Sequence, residues 1–303
     1  MKIKSPVITR SAVMSHEFLL KSVRMSCGFL FKKIITVCFL GALLGLPVVS
    51  AFADDKEVKP DAAVSEPQKN LTVDLGNGVK LEMVLVQPGT FMMGADNISD
   101  NEKPVHKVTL TKPFYMGKFE VTQEQWQAVV GDNPSNFKEG KEAGKRPVEQ
   151  VSWNDINTKF LPKLAERMPK GLKARLPTEA EWEYGCRAGA TGDYAGELDK
   201  MGWHSGNSED KTHPVGGKKA NAWGLYDMHG NVWEWCADLK ADYTAEEVTD
   251  PAGAPSSKFR VGRGGAWSVG ENYSKSAFRD WGTQDFKSIR LGFRLAMDVP
   301  VKK

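Results

Sequence analysis

The chain has 303 residues, 41% hydrophobic and 26% charged, with 29 Gly and nine Trp. That mix excludes disorder, collagen and coiled coil, and it can build a buried core in one large domain or two of about 150 residues. The formal charge of +3 reads as mildly basic, but the charges sit unevenly.

Residues 1–53 carry Lys2, Lys4, Arg10, Lys21, Arg24, Lys32 and Lys33 against one acid, Glu17. Of 41 basic and 38 acidic residues, seven and one fall here, so the remaining chain holds 34 and 37, net −3. Lys32-Lys33 precede an apolar stretch from Ile34 to Val49, which ends in Ala51-Phe52-Ala53 before Asp54-Asp55. A basic start, an apolar middle and small residues at an A-x-A site predict a secretory signal peptide over 1–53. The long basic start makes Met14 or Met25 an alternative first residue. The competing reading is an uncleaved membrane anchor, since about 20 apolar residues can span a bilayer. Pro47 and the small residues favour cleavage, hence an exported chain with no stable membrane insertion. No Cys stands at the cleavage point, which argues against a lipoprotein. Cys27 and Cys38 leave with the signal, and Cys186 with Cys236 remain, either as one disulfide or as two buried thiols.

Residues 54–70 are charged, contain Pro and lack aromatics, the composition of a flexible linker. From Leu71 turn signals recur without a break in composition, so 71–298 is expected to form one domain. Residues 79–86, 90–94 and 105–110 read as strands separated by Pro88-Gly89 and a polar loop. Thr122 with Gln125, Ser152 with Asp155 and Thr178 with Glu181 each have the spacing of a helix-starting capping box, and Pro177 bars an earlier start to the last. Beyond residue 186 periodicity fades while Gly, Asn and Trp persist. Such an irregular stretch needs metal ions or dense polar networks to fix it.

The segment from Gly224 to Trp235 is the densest candidate site. Asp227 and Glu234 offer carboxylates, and Gly230-Asn231 allows a tight turn that can aim carbonyls inward, the hard oxygen donors that Ca²⁺ prefers. The bland alternative is a capped turn packed by Trp233 and Trp235. His106, His204, His213 and His229 lack the spacing of a helical zinc site and read as surface or core histidines. Gly262-Arg263-Gly264-Gly265 lacks the third Gly of a dinucleotide loop, and Ala266 stands where a nucleophile elbow around Ser268 needs Gly. With no basic stripe and an acidic mature chain, nucleic-acid binding is not expected.

These segments resemble the formylglycine-generating enzyme, or sulfatase-modifying factor, family. The carriers are 88–94, Glu120-Val121-Thr122, Arg146-Pro147-Val148, Val151-Ser152-Trp153, 175–183, 224–235, Arg263-Gly264-Gly265 and Leu291-Gly292-Phe293-Arg294. The resemblance implies an irregular single α+β domain, low in regular structure, related to C-type lectins and braced by calcium. It implies calcium ligands from the side chains of Asp227 and Glu234 and the carbonyls of Gly230 and Val232. The family's two copper-holding cysteines fall at Val269 and Ser274, and neither residue is a soft ligand for Cu(I). Copper-dependent oxidation of a substrate cysteine to formylglycine is therefore not expected. A family disulfide from Cys186 would end at Leu295, so that bridge is missing too. The first functional expectation is a binding or accessory/maturation module acting on a peptide, glycan or exported protein partner. Its groove, the former active site, would be lined by Trp267, Ser268, Val269, Asn272 and Ser274, unless these residues simply fill it. The alternative is an enzyme forming formylglycine by a divergent mechanism.

Overall fold

A computed structural model of the chain describes residues 70–300. The segment expected to be a signal peptide and all of the expected linker except Asn70 lie outside the described residues.

The chain opens with the antiparallel pair β1 (Asn70–Gly76) and β2 (Val79–Val86). Next come β3 (Gly89–Met93), β4 (His106–Leu110) and β5 (Phe114–Gly117). The three sequence-predicted strands match β2, β3 and β4. Helix α1 (Gln123–Val130) starts at Thr122, whose hydroxyl accepts from the Gln125 amide while the Gln125 side chain accepts from the Thr122 amide. Ser152 with Asp155 makes the same reciprocal cap for α2 (Trp153–Asp155), which runs through a π turn at Ile156–Phe160 into α3 (Leu161–Ala165). After β6 (Ala174–Arg175), Thr178 and Glu181 cap α4 (Glu179–Arg187). All three capping boxes read from the sequence form. Each supplies orphan first-turn amides with side-chain partners, worth about 1 kcal/mol.

Past α4 lie a short α5 (Leu198–Met201) and six strands: β7 (Trp233–Leu239), β8 (Val248–Thr249), β9 (Phe259–Arg263), β10 (Arg279–Thr283), β11 (Leu291–Gly292) and β12 (Ala296–Asp298). The strands assemble into three small sheets, ordered β1-β2-β5-β12-β6, β10-β9-β7-β11 and β3-β4-β8. Faded periodicity therefore did not mean absent strands. The first four residues of β7 are all buried, so no polar-apolar alternation marks it.

The five-stranded sheet separates two apolar clusters. On one face Leu81, Met83, Tyr115 and Met297 pack with Trp126, Phe160 and Phe293. There the Trp126 and Phe160 rings stack at 5.3 Å, and Phe293 meets both edge-on. On the other face Val84, Val86, Met116 and Ala296 pack with Trp182, Leu225 and Met228. Successive residues of β2 and β5 thus serve opposite cores, as the two-residue period of a strand requires.

Beside the second cluster α4 presents a row of acids to buried arginines. Glu179 takes Arg279 through both oxygens at 2.6 and 2.8 Å. Glu183 holds Arg187 and the wholly buried Arg263. Asp238 on β7 accepts from the Glu179 amide at 2.8 Å, at the first turn of α4. Burial, then the nearby Glu179 charge, pushes Asp238 up to about 7, against about 3.9 in an unfolded chain. Between those values the folded state holds the extra proton, so this group makes stability fall as pH rises from about 4 to about 7. Denaturant melts of Asp238→Asn across that range are expected to show a shallower fall than the parent chain. An identical pH slope in the two proteins would contradict this assignment.

Candidate functional site

The turn at 227–232 is built on left-handed backbone. Asp227, Gly230 and Asn231 have φ of 57°, 115° and 62°. Asp and Asn tolerate this region better than other side chains. At Gly230 only glycine fits, because a Cβ would stand 2.0 Å from the Trp203 carbonyl oxygen. Asn231, fully buried, ties the turn to its surroundings. Its amide donates to Trp203 O, its Oδ1 accepts from the His213 amide, and its Nδ2 donates to Glu120 Oε2 at 2.7 Å. The other Glu120 oxygen accepts from the Val232 amide.

Glu234 lies beneath this turn, wholly out of water. Arg294 grips it in a fork, Nε to Oε2 and Nη2 to Oε1, each at 2.6 Å. The Trp182 indole adds a third donor at 2.7 Å, and Arg294 Nη1 and Nη2 reach the carbonyls of Gly117 and Tyr226. Asp227 Oδ2 accepts from the Gly216 amide, while its Oδ1 is buried with no hydrogen-bond partner. Three carboxylates, those of Glu120, Asp227 and Glu234, therefore share one guanidinium. Burial, then the charges of Asp227 and Glu234, raises Glu120 well above the usual carboxylate range, and burial pushes Asp227 up to about 6. Burial is the leading cause of both shifts, and the neighbouring like charges add to it against the opposing pull of Arg294.

These residues fit a hard cation at Asp227, through its orphaned oxygen, and in net charge. Glu234 fits as a ligand only if it shares its oxygens with Arg294 and Trp182. Among the described residues no three His, Cys, Asp or Glu side chains converge as a metal cage, so any cage there draws on backbone carbonyls. Glu120, Asn231 and Arg294 were not assigned from the sequence. All three lie within segments carrying the family resemblance, where the sequence marks Asn231 only as part of a tight turn.

The second candidate segment follows β9. Gly264 and Gly265 are left-handed, and a Cβ on Gly265 would meet Ser274 Oγ at 2.3 Å. The chain thus folds back so that 265 touches 274. Trp267 is buried, its indole donating to the Ile289 carbonyl and its ring set edge-on to Phe137. Ser268 is half-buried, with an unpartnered hydroxyl. Val269 is half-buried and packs on the first apolar cluster, whereas Asn272 is exposed. Ser274 is wholly buried, its Oγ unpartnered and its carbonyl accepting from His229 Nδ1 at 2.9 Å. The five residues assigned to a groove lie within one short stretch of chain, 267–274, but are not equally accessible.

His229 accepts from the Ala195 amide at Nε2, which fixes the proton on Nδ1, and burial lowers its pKa to about 4. It is a neutral strut. The other histidines among the described residues are likewise engaged: His204 with Asp199, His213 stacked on Trp203 at 3.7 Å, and His106 with the Pro104 carbonyl. Cys186 and Cys236 are both free and buried, so they form no disulfide. Burial pushes the Cys186 thiol up to about 12 and Cys236 well above its ordinary value. Neither is a thiolate at neutral pH, the form that binds copper or attacks substrate.

Residues 75–299 match the family model described as "Sulfatase-modifying factor enzyme 1-like domain". The chain is 32% identical to the chaperone protein LppX of Paenibacillus barcinonensis over 65% of this chain and 82% of that protein. It is 29% identical to the formylglycine-generating enzyme of Bos taurus, over 72% and 75% of the two chains. Among solved structures, Treponema denticola variable protein 1 superposes with a TM-score of 0.71 at 32% identity, covering 76% of this chain and 99% of that one. The motifs, the irregular α+β fold and these matches agree: the chain belongs to the sulfatase-modifying factor, or formylglycine-generating enzyme, family.

Proposed function

We propose that this protein is an exported, copper-free accessory or maturation module. It recognises a peptide, glycan or exported protein partner at the surface around Ser268, Val269 and Asn272. The observation that carries this reading is the chemistry of the copper position. Val269 and Ser274 replace the two thiolates, Ser274 lies under the surface, and the remaining thiols are protonated in the interior. Among the described residues no thiolate pair is left at that position for Cu(I). A relative named as a chaperone protein is in keeping with a role other than cysteine oxidation. Export rests on residues 1–53, and no helix among the described residues is long and apolar enough to cross a membrane.

Incubation with copper and a peptide bearing the sulfatase sequence Cys-x-Pro-x-Arg, read by mass spectrometry, is expected to leave the cysteine intact. Conversion to the aldehyde would overturn the proposal in favour of an enzyme with a divergent mechanism.

Calcium is the cofactor proposed for the 227–234 turn, held by Asp227 and the carbonyls of Gly230 and Val232 with Glu234 beneath. Bound calcium would neutralise the buried acids and lock the turn. A cation that binds only the folded state stabilises by about 2.7 kcal/mol at 100 times its dissociation constant. Calcium added to chelator-treated protein is therefore expected to raise the melting temperature, and Asp227→Ala to abolish the rise. A melting temperature indifferent to calcium would contradict the site.

A further inference from the structure

A wide cleft opens between the loop after β3 and the loop after α4, with Lys275 and Ala277, just past Ser274, completing its lining. Its volume is about 760 Å³, and none of the residues assigned above to the former copper region or the calcium turn lines it. Small-molecule sites commonly fall between about 300 and 1,000 Å³.

Its walls are fixed from below by one buried ion pair. Arg187 binds Glu183 through Nε and donates to the carbonyls of Gly192, on one wall, and Gly94, on the other. The Gly94 amide returns a hydrogen bond to Glu183 at 3.0 Å. Both loops thus hang from the last turns of α4, so the cleft is pre-formed. Phe91, Tyr184 and Trp223 line it as a continuous aromatic run, with centroids 5.2 and 4.8 Å apart. On the rim Asp193 carries Lys275 on one oxygen at 3.1 Å and Asn97 on the other at 3.3 Å. Asp96 is exposed and makes no ion pair among the described residues.

The charge balance narrows the ligand. Arg187 is committed to Glu183 and Lys275 to Asp193, so no free cation is left for a phosphate or carboxylate. Asp96 alone is too little for a polycation, and the Asp–Asn–Lys rim is too polar for a lipid chain. A neutral ligand with apolar faces and many hydroxyls matches what remains. Its C–H faces can lie on the aromatic rings, and its hydroxyls can both donate to Asp193 and Asp96 and accept from Asn97 and Lys275. We infer that this cleft binds a short neutral saccharide, independently of the surface around Asn272.

The test is a panel of defined neutral, sulfated and uronic-acid oligosaccharides offered to the full chain, followed by affinity measurement on any that is retained. Retention of at least one neutral oligosaccharide is expected. Trp223→Ala, which removes a stacking face, and Thr191→Trp, which fills the cleft from an exposed lining position, should each weaken it by at least about tenfold. Asn272→Ala should leave it unchanged, which separates this site from the proposed partner surface. Because Thr191 is exposed, its variant stays informative even if Trp223→Ala fails to fold. Retention of no saccharide, of charged saccharides alone, or an affinity indifferent to Thr191→Trp would overturn the inference.

Discussion

Arg294 and Glu234 lie wholly out of water with their fork of hydrogen bonds closed and two further guanidinium N–H groups donating to backbone carbonyls. Removing two such charges from water costs several kcal/mol each, and the cost is offset only when the geometry is close and the other polar atoms are satisfied. Here the pair joins the C-terminal motif to β7, to the end of β5 and, through Trp182, to α4. Regular structure is sparse around it, so backbone groups that a helix or long sheet would satisfy depend on side chains. Glu120 accepting from the Val232 amide and Glu183 from the Gly94 amide are the same device elsewhere. A chain with short strands and long loops stays fixed because buried acids and arginines replace missing ladders.

That frame separates scaffold from chemistry. The parts of the family pattern that build it, the 224–235 turn, the 175–183 helix start and Arg263 with Arg294, are intact. The two positions at which the resemblance puts copper-holding cysteines carry Val269 and Ser274, and both sit in packing and turn geometry. Val269 now leans on the core, and Ser274 serves as a buried stop for Gly265 and an acceptor for His229. The scaffold's rigidity remains useful for binding, since pre-formed surfaces lose little entropy on association.

Local features were readable in the sequence. Caps at Thr122, Ser152 and Thr178 act over three residues, and β2 to β4 sit between strong turn signals, so pattern alone placed them. The later strands were not, because β7 is buried and carries no alternation. The polar frame was only half readable. Density of Gly, Asn and Trp announced that something must hold the last third of the chain, yet Asn231 meets Glu120 across 111 residues and Arg294 meets Glu234 across 60. Such pairings arise from topology, which spacing does not encode. The unforeseen commitment of Glu234 to Arg294 has the same origin.

A double-mutant cycle on that pair measures whether the two buried charges hold the fold as one unit. Unfolding free energies would be measured for Glu234→Gln, Arg294→Met and the two combined. Removing one partner strands a buried charge or acceptor, so Arg294→Met alone should cost about 3–5 kcal/mol. The combined variant should cost less than the sum of the single ones, by roughly 2 kcal/mol or more. Effects that add to within about 0.5 kcal/mol would mean the two residues act independently, and the frame described here would not be what holds the fold.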